Sequence, residues 1–173
     1  VYRDFVYETC AVPDPELQLL LEELFWRDYH SENDGIYSAV RQVREKLNEL
    51  VSYTTTIEEY PYEDNPIRWF LTVSRQGNAA YYASAAAEAL RVHGIPARYA
   101  EGYYVSGNAL TQSEDGSVTV TDRDAHAWAE VYFDGIGWLP IDVTPGYYYD
   151  AASLQQMIAA PDTVRKTAVL EKN

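Results

Sequence analysis

Three short stretches carry residue types that could do chemistry, and they come in a telling order. "RQGNAAYYASAAAEALR", from Arg75 to Arg91, reads as a loop feeding a helix of small residues. "AHAWAEVYF" reads as a strand with His126 near its start, and "GWLPIDV" as the next strand, ending near Asp142. A histidine and an aspartate on neighbouring strands can act as a base and its orienter, the carboxylate fixing the ring's tautomer while the ring moves the proton. The group that such a pair activates belongs at a helix start, where unpaired N–H groups and the dipole lower a thiol's pKa. The order is that of a cysteine, histidine, aspartate triad, yet the helix start holds Ala79, which has no reactive atom.

Strand register gives a separate condition on the pair. A two-residue turn at Asp134-Gly135 would put His126 and Asp142 on opposite faces of the sheet. An odd loop, such as Asp134 to Ile136 or Phe133 to Gly137, sets Asp142 opposite Trp128 and makes His126 its diagonal neighbour on one face. Gly135 and Gly137 can supply the left-handed residue that such a loop needs, so the triad reading predicts the odd loop.

The elements that position these residues are helices first and strands second. Asp14-Pro15-Glu16 is a cap followed by proline at the first helical position, and Leu17, Leu20, Leu21, Leu24 and Phe25 predict a helix to about Tyr29. After "SENDG", the residues Ile36, Val40, Val43, Leu47 and Leu50 draw one apolar stripe of a second helix. Asn65-Pro66 repeats the cap-plus-proline start of a short third helix, which Gly77 is expected to end. The fourth runs from Asn78 to His93 and stops at Gly94 and Pro96. "ARYAEGYYVS", "SVTVT", "AHAWAEVYF" and "GWLPIDV" then predict an antiparallel meander. The fold class is therefore α+β, with the alanine-rich helix central and packed on the sheet.

"GNAAYYASAAAEALRVHGIPARYAEGY" and "DAHAWAEVYFDGIGWLPIDVTP" resemble the transglutaminase-like superfamily, specifically its bacterial extracytoplasmic domains of papain-type layout. The resemblance covers about Val1 to Tyr149. It implies a cysteine nucleophile at the position of Ala79, with His126 and Asp142 as its partners. It also implies acyl transfer from a peptide or glutamine amide through a thioester, a protein or peptide substrate, and a secreted or membrane-anchored parent. Asn78, Tyr81, Trp128 and Tyr147 are the candidate substrate-binding residues, and packing alone would also explain most such aromatics. The backbone N–H of Ala79 is a natural oxyanion donor. Arg91, Gly94, Pro96 and Arg98 fall on the "R..GIPAR" segment and read as structural.

Cysteine to alanine is the replacement an experimenter chooses to trap a complex or to avoid thiol oxidation, whereas drift would erode His126 and Asp142 as well. Ala79 thus reads as an engineered position. The other reading is a natural pseudoenzyme that binds a peptide or a cell-wall polymer. Taken singly, His126 could be a satisfied core residue and Asp142 a turn cap; the surrounding motifs argue otherwise.

The bulk numbers set the outer limits. The chain has 173 residues, which suits a single domain spanning 1–173, divided into a helical part (1–75), the helix and sheet of the site (76–149) and a C-terminal helix or tail (150–173). It begins at Val1 and reads as a piece of a longer protein. Thirteen basic against 27 acidic residues give a net charge of −14, which repels nucleic acid. Three scattered histidines and no calcium-loop pattern predict neither metal nor cofactor. Cys10, the one cysteine, excludes an internal disulfide; it is expected in an extended entry segment, away from any helix start that would activate it.

Overall fold

The computed structural model describes residues 1–30, 35–57, 60–61, 63–112 and 116–147. The chain enters through α1 (Tyr2–Cys10), then α2 (Gln18–Leu21), which continues as a π-helical turn over Glu22–Trp26. Next come α3 (Ile36–Leu50), β1 (Ser52–Tyr53), α4 (Pro66–Trp69) with its own π-helical extension Phe70–Ser74, and β2 (Gln76–Gly77). The second half holds α5 (Ala79–Val92), β3 (Ala97–Tyr103), a short α6 (Gly107–Gln112), β4 (Ala125–Phe133) and β5 (Gly137–Ile141). The α+β class expected from the sequence is the observed one, with an antiparallel sheet in the order β3-β4-β5.

The alanines explain the central position of α5. Ala83, Ala85, Ala86, Ala87 and Ala89 are all buried, so the helix backbone can come close to the sheet on one side and to α2 and α3 on the other. α3 contributes Val40, Val43 and Leu47 to the same core, as its stripe predicts. α5 ends as read: Gly94 takes φ 77°, and its N–H donates to the Arg91 carbonyl at 2.8 Å.

Several expectations are corrected. Cys10 is the last residue of α1 and not part of an extended entry segment. Tertiary contacts hold that helix: Val6 is buried, Arg3 Nε donates to Asp134 at 3.0 Å, and Trp138 Nε1 donates to the Tyr2 hydroxyl at 3.1 Å. The next regular helix begins at Gln18 and not at Pro15: residues 15–17 form a turn that Asp14 caps, its carboxylate accepting from the Glu16 N–H at 2.9 Å and from Asn65 Nδ2 at 3.1 Å. The third helix ends at Arg75, with φ 52°, and not at Gly77. Gly77 serves close approach: a Cβ there would lie 2.7 Å from the Phe70 ring and 2.9 Å from Tyr81 Cβ. "SVTVT" forms no strand. Thr121 instead opens a 3-10 turn, Asp122–Asp124, and Asp124 Oδ2 accepts from the Thr121 N–H and hydroxyl at 2.7 and 3.0 Å. The stretch 150–173 lies outside the described residues.

Candidate active site

The start of α5 is fixed by its own cap. Asn78 has an extended backbone, and its side-chain oxygen accepts from the Ala80 N–H at 3.1 Å. Ala79 is the first helical residue, only 7% exposed, and its N–H is among those with no partner within the helix. The segment before it is held by parallel pairing of β1 with β2, Tyr53 opposite Gly77.

β4 and β5 pair from Phe133↔Gly137 to Ala129↔Ile141, so the loop between them is the three-residue Asp134 to Ile136. This is the odd loop, with Gly135 at φ 78° and Gly137 at φ 111°. One step past the ladder, Asp142 falls on the face of Trp128 and His126. Its Oδ2 stands 2.6 Å from His126 Nε2, with both side chains buried. The second carboxylate oxygen accepts from the Thr144 N–H at 3.0 Å, which locks the carboxylate's rotation. Nε2 is thereby engaged, and Nδ1 is the ring nitrogen left for other work.

Ala79 and His126 line the same cavity, of about 910 Å³. Asn78, Ala80 and Tyr147 share its wall, as do Tyr99, Glu101 and Tyr103 from β3. Tyr147 lies flat on His126, with ring centroids 4.3 Å apart, and is met edge-on by Tyr104 at 5.0 Å. Tyr53 stands 6.3 Å from Tyr147; burial pushes its phenol's pKa up, with Tyr147 adding to the rise. Of the remaining candidates, Tyr81 packs against Phe70 and Trp69, away from the cavity lining. Trp128 lies nearly parallel to the His126 ring at 6.5 Å and closes against Gly102, where a Cβ would meet its ring at 3.0 Å.

Sequence reading did not single out Tyr53, Tyr99, Glu101, Tyr103, Tyr104, Asp122 or Arg123 as site residues. The alternation of Tyr99, Glu101 and Tyr103 along a strand was the one available signal, since it puts all three on one face. Tyr53 reaches the cavity through the pairing of β1 with β2, two-residue strands that carry no periodicity. Among the described residues, no group of three His, Cys, Asp or Glu is placed to hold a metal ion.

A buried histidine held by a carboxylate, on a cavity shared with the start of a central helix packed on an antiparallel sheet, is the layout of a papain-like fold. Residues 26–143 match the model of the transglutaminase-like superfamily, and the chain belongs to that superfamily. Among its relatives is a protein-glutamine gamma-glutamyltransferase of Pseudomonas aeruginosa, 32% identical over 131 residues, covering 76% of this chain and 18% of that protein. Another is the uncharacterized protein YebA of Bacillus subtilis, 31% identical over 119 residues, covering 67% of this chain and 16% of that protein. The chain thus spans less than a fifth of either. The crystal structure of the periplasmic domain of TgpA from Pseudomonas aeruginosa superposes with a TM-score of 0.59 at 27% identity, covering 81% of this chain and 47% of that one.

Proposed function

We propose that this chain is the acyl-transfer domain of a larger extracytoplasmic protein, acting on a peptide or glutamine amide through a thioester when position 79 carries cysteine. The observation that carries the reading is the buried His126–Asp142 contact of 2.6 Å in the cavity that also receives the start of α5. In this mechanism a thiolate at position 79 attacks the amide carbonyl, and N–H groups at the helix start take up the developing oxyanion. The C–N bond breaks as imidazolium 126 protonates the leaving amine. Water or an acceptor amine then attacks the thioester carbonyl and releases the thiolate. Asp142 holds the ring throughout. A periplasmic relative and one named as a glutamyltransferase support the location and the amide substrate. The net charge of −14 argues against nucleic acid as a partner.

With Ala79 in place no thioester can form, so the chain as it stands is inert. The intact His126 and Asp142 support a deliberate replacement of cysteine. The competing reading, a natural pseudoenzyme that binds a peptide or a cell-wall polymer, is favoured by Ala79 itself. Ala79→Cys separates the two. Iodoacetamide rates against pH, with Cys10→Ser clearing the background, should show a thiol titrating well below the ~8.5 of free cysteine, and His126→Ala should raise it. A restored thiol that titrates like a free one and ignores His126 would sink the acyl-transfer reading.

A further inference from the structure

Among the described residues one side of the sheet ends in an open edge, and that edge borders the cavity. Tyr104 N–H donates to the Asp124 carbonyl at 2.8 Å, and Tyr132 N–H to the Pro96 carbonyl at 3.0 Å. Both pairs continue the β3–β4 register, in which Ala97 faces Val131 and Tyr103 faces Ala125. In an antiparallel ladder alternate pairs exchange the hydrogen bonds. The bonded positions of β3 are therefore Arg98, Ala100 and Gly102. Ala97, Tyr99, Glu101 and Tyr103 turn their N–H and C=O groups away from β4. At Ala97 the outward carbonyl is taken by Arg91 Nε at 2.8 Å. Tyr99, Glu101 and Tyr103 have exposed side chains, and among the described residues no strand pairs with their side of β3.

An edge of this kind templates another strand unless it is short, charged or covered. Here it runs about 13 Å from Tyr99 to Tyr103 at the strand rise of roughly 3.3 Å per residue. Its Tyr103 end lies beside Gly102, the residue paired with His126. Tyr99, Glu101 and Tyr103 line the same cavity as Ala79. Charge narrows the occupant. Glu101, whose carboxylate accepts the Tyr99 hydroxyl at 3.0 Å, and Asp122 both line the cavity, against the single Arg123.

We propose that the outer edge of β3 binds an extended, basic segment of the polypeptide substrate by strand addition, with a lysine or arginine set against Glu101 and the reacting amide delivered past Tyr103 toward position 79. Recognition runs through main-chain hydrogen bonds to Tyr99, Glu101 and Tyr103, so it tolerates many sequences that stay extended. Delivery of the amide rests on the acyl-transfer reading; the docking itself does not.

The test uses the chain with Ala79 in place and the peptide acetyl-KVTVQG-amide, titrated by calorimetry. Two twins are N-methylated, one at the odd and one at the even residues. In an added strand only alternate N–H groups point at the protein. One twin is expected to bind at least about tenfold more weakly and the other within about twofold of the parent. Hydrogen exchange at Tyr99, Glu101 and Tyr103 should be fast in the free protein and slow in the complex. Glu101→Pro removes one outward N–H without touching a ladder bond and should weaken binding beyond Glu101→Ala. Two twins that bind alike overturn the proposal. So do edge amides already protected in the free protein, whether at all concentrations or, as for edge-to-edge pairing of two copies, only at high ones. If the alternation appears and the Ala79→Cys thiol is inert, the docking stands and the acyl-transfer reading falls. If that thiol transfers acyl groups while both twins bind alike, the reverse holds.

Discussion

Tyr147 lies flat against His126, ring centroids 4.3 Å apart and planes 23° from parallel, while Asp142 grips the far nitrogen of the same ring. The carboxylate fixes which nitrogen carries the proton; the phenol ring fixes the plane in which the imidazole sits. A base that must meet a thiol within hydrogen-bond reach needs both constraints.

That arrangement separates two substitutions at one position. In the Ala79→Cys background, Tyr147→Phe keeps the stacked ring and should alter the alkylation rate of the thiol by less than about twofold, whereas Tyr147→Ala frees the imidazole and should slow it by about tenfold. Rate against pH for both variants checks the pair. Equal rates would mean that Asp142 alone orients the ring.

Gly77 offers a test of packing behind the site. A methyl group there would sit inside the contact distance of Phe70 and Tyr81, both attached to well-packed backbone. Gly77→Ala should therefore cost about 1–3 kcal/mol, as overpacked cores do, and lower Tm by roughly 2–4 °C for each kcal/mol. Thermal unfolding measures it. An unchanged Tm would show that the Phe70 ring moves aside freely.

The sequence exposed what depends on period and punctuation. The stripe of α3, the Asn65-Pro66 start and the Gly94 stop all stand where local rules put them. The odd loop followed from asking which register lets His126 meet Asp142, and the register is as expected. What stayed hidden depends on distant contacts. α1 is held by contacts more than 130 residues away in sequence, Arg3 to Asp134 and Tyr2 to Trp138. Asp14 caps its own turn as read, and its other oxygen ties two segments together through Asn65, which no local pattern shows. "SVTVT" had strand composition, but Thr121 found a better partner in Asp124. The tyrosine wall of the cavity needed Tyr53 and Tyr147, which lie far apart in sequence, to be brought within reach.

Alkaline pH should reveal a set of phenols held above their ordinary range. Burial pushes the phenols of Tyr53, Tyr81 and Tyr99 up, with Tyr147, Tyr60 and Glu101 respectively adding to the effect. A folded pKa above the unfolded value of about 10 means that the folded state holds its proton longer. The stability so contributed is fully present below about pH 10 and is lost as the pH rises through the folded values. Urea midpoints measured from about pH 8 to about pH 12 should fall on the alkaline side, and Tyr53→Phe should flatten the fall. A midpoint independent of pH over that range would contradict it.

The sharpest separation of structure from chemistry lies at Asp142, through Asp142→Asn. Asp142 accepts from Thr144 N–H with one oxygen and meets His126 Nε2 with the other, both side chains being buried. An asparagine keeps its oxygen on the Thr144 N–H, since the flipped amide would set N–H against N–H. Its NH₂ group then faces Nε2, and the ring must carry its proton on Nδ1. That tautomer places N–H, not a lone pair, toward the cavity, so the base is lost while shape and packing remain. With cysteine at position 79, Asp142→Asn should cost no more than about 1–2 kcal/mol of stability, the range of one buried hydrogen bond. Acyl transfer at neutral pH should fall by about a hundredfold or more, as a wrong tautomer predicts. Asp142→Ala leaves the ring free to choose either tautomer and should fall less in rate while losing more stability, because the Thr144 N–H is left without its acceptor. Urea unfolding and single-turnover rates on the two variants give the comparison. If asparagine proves the milder substitution in rate, the amide has flipped, and Asp142 acts by holding the ring's position and not its tautomer.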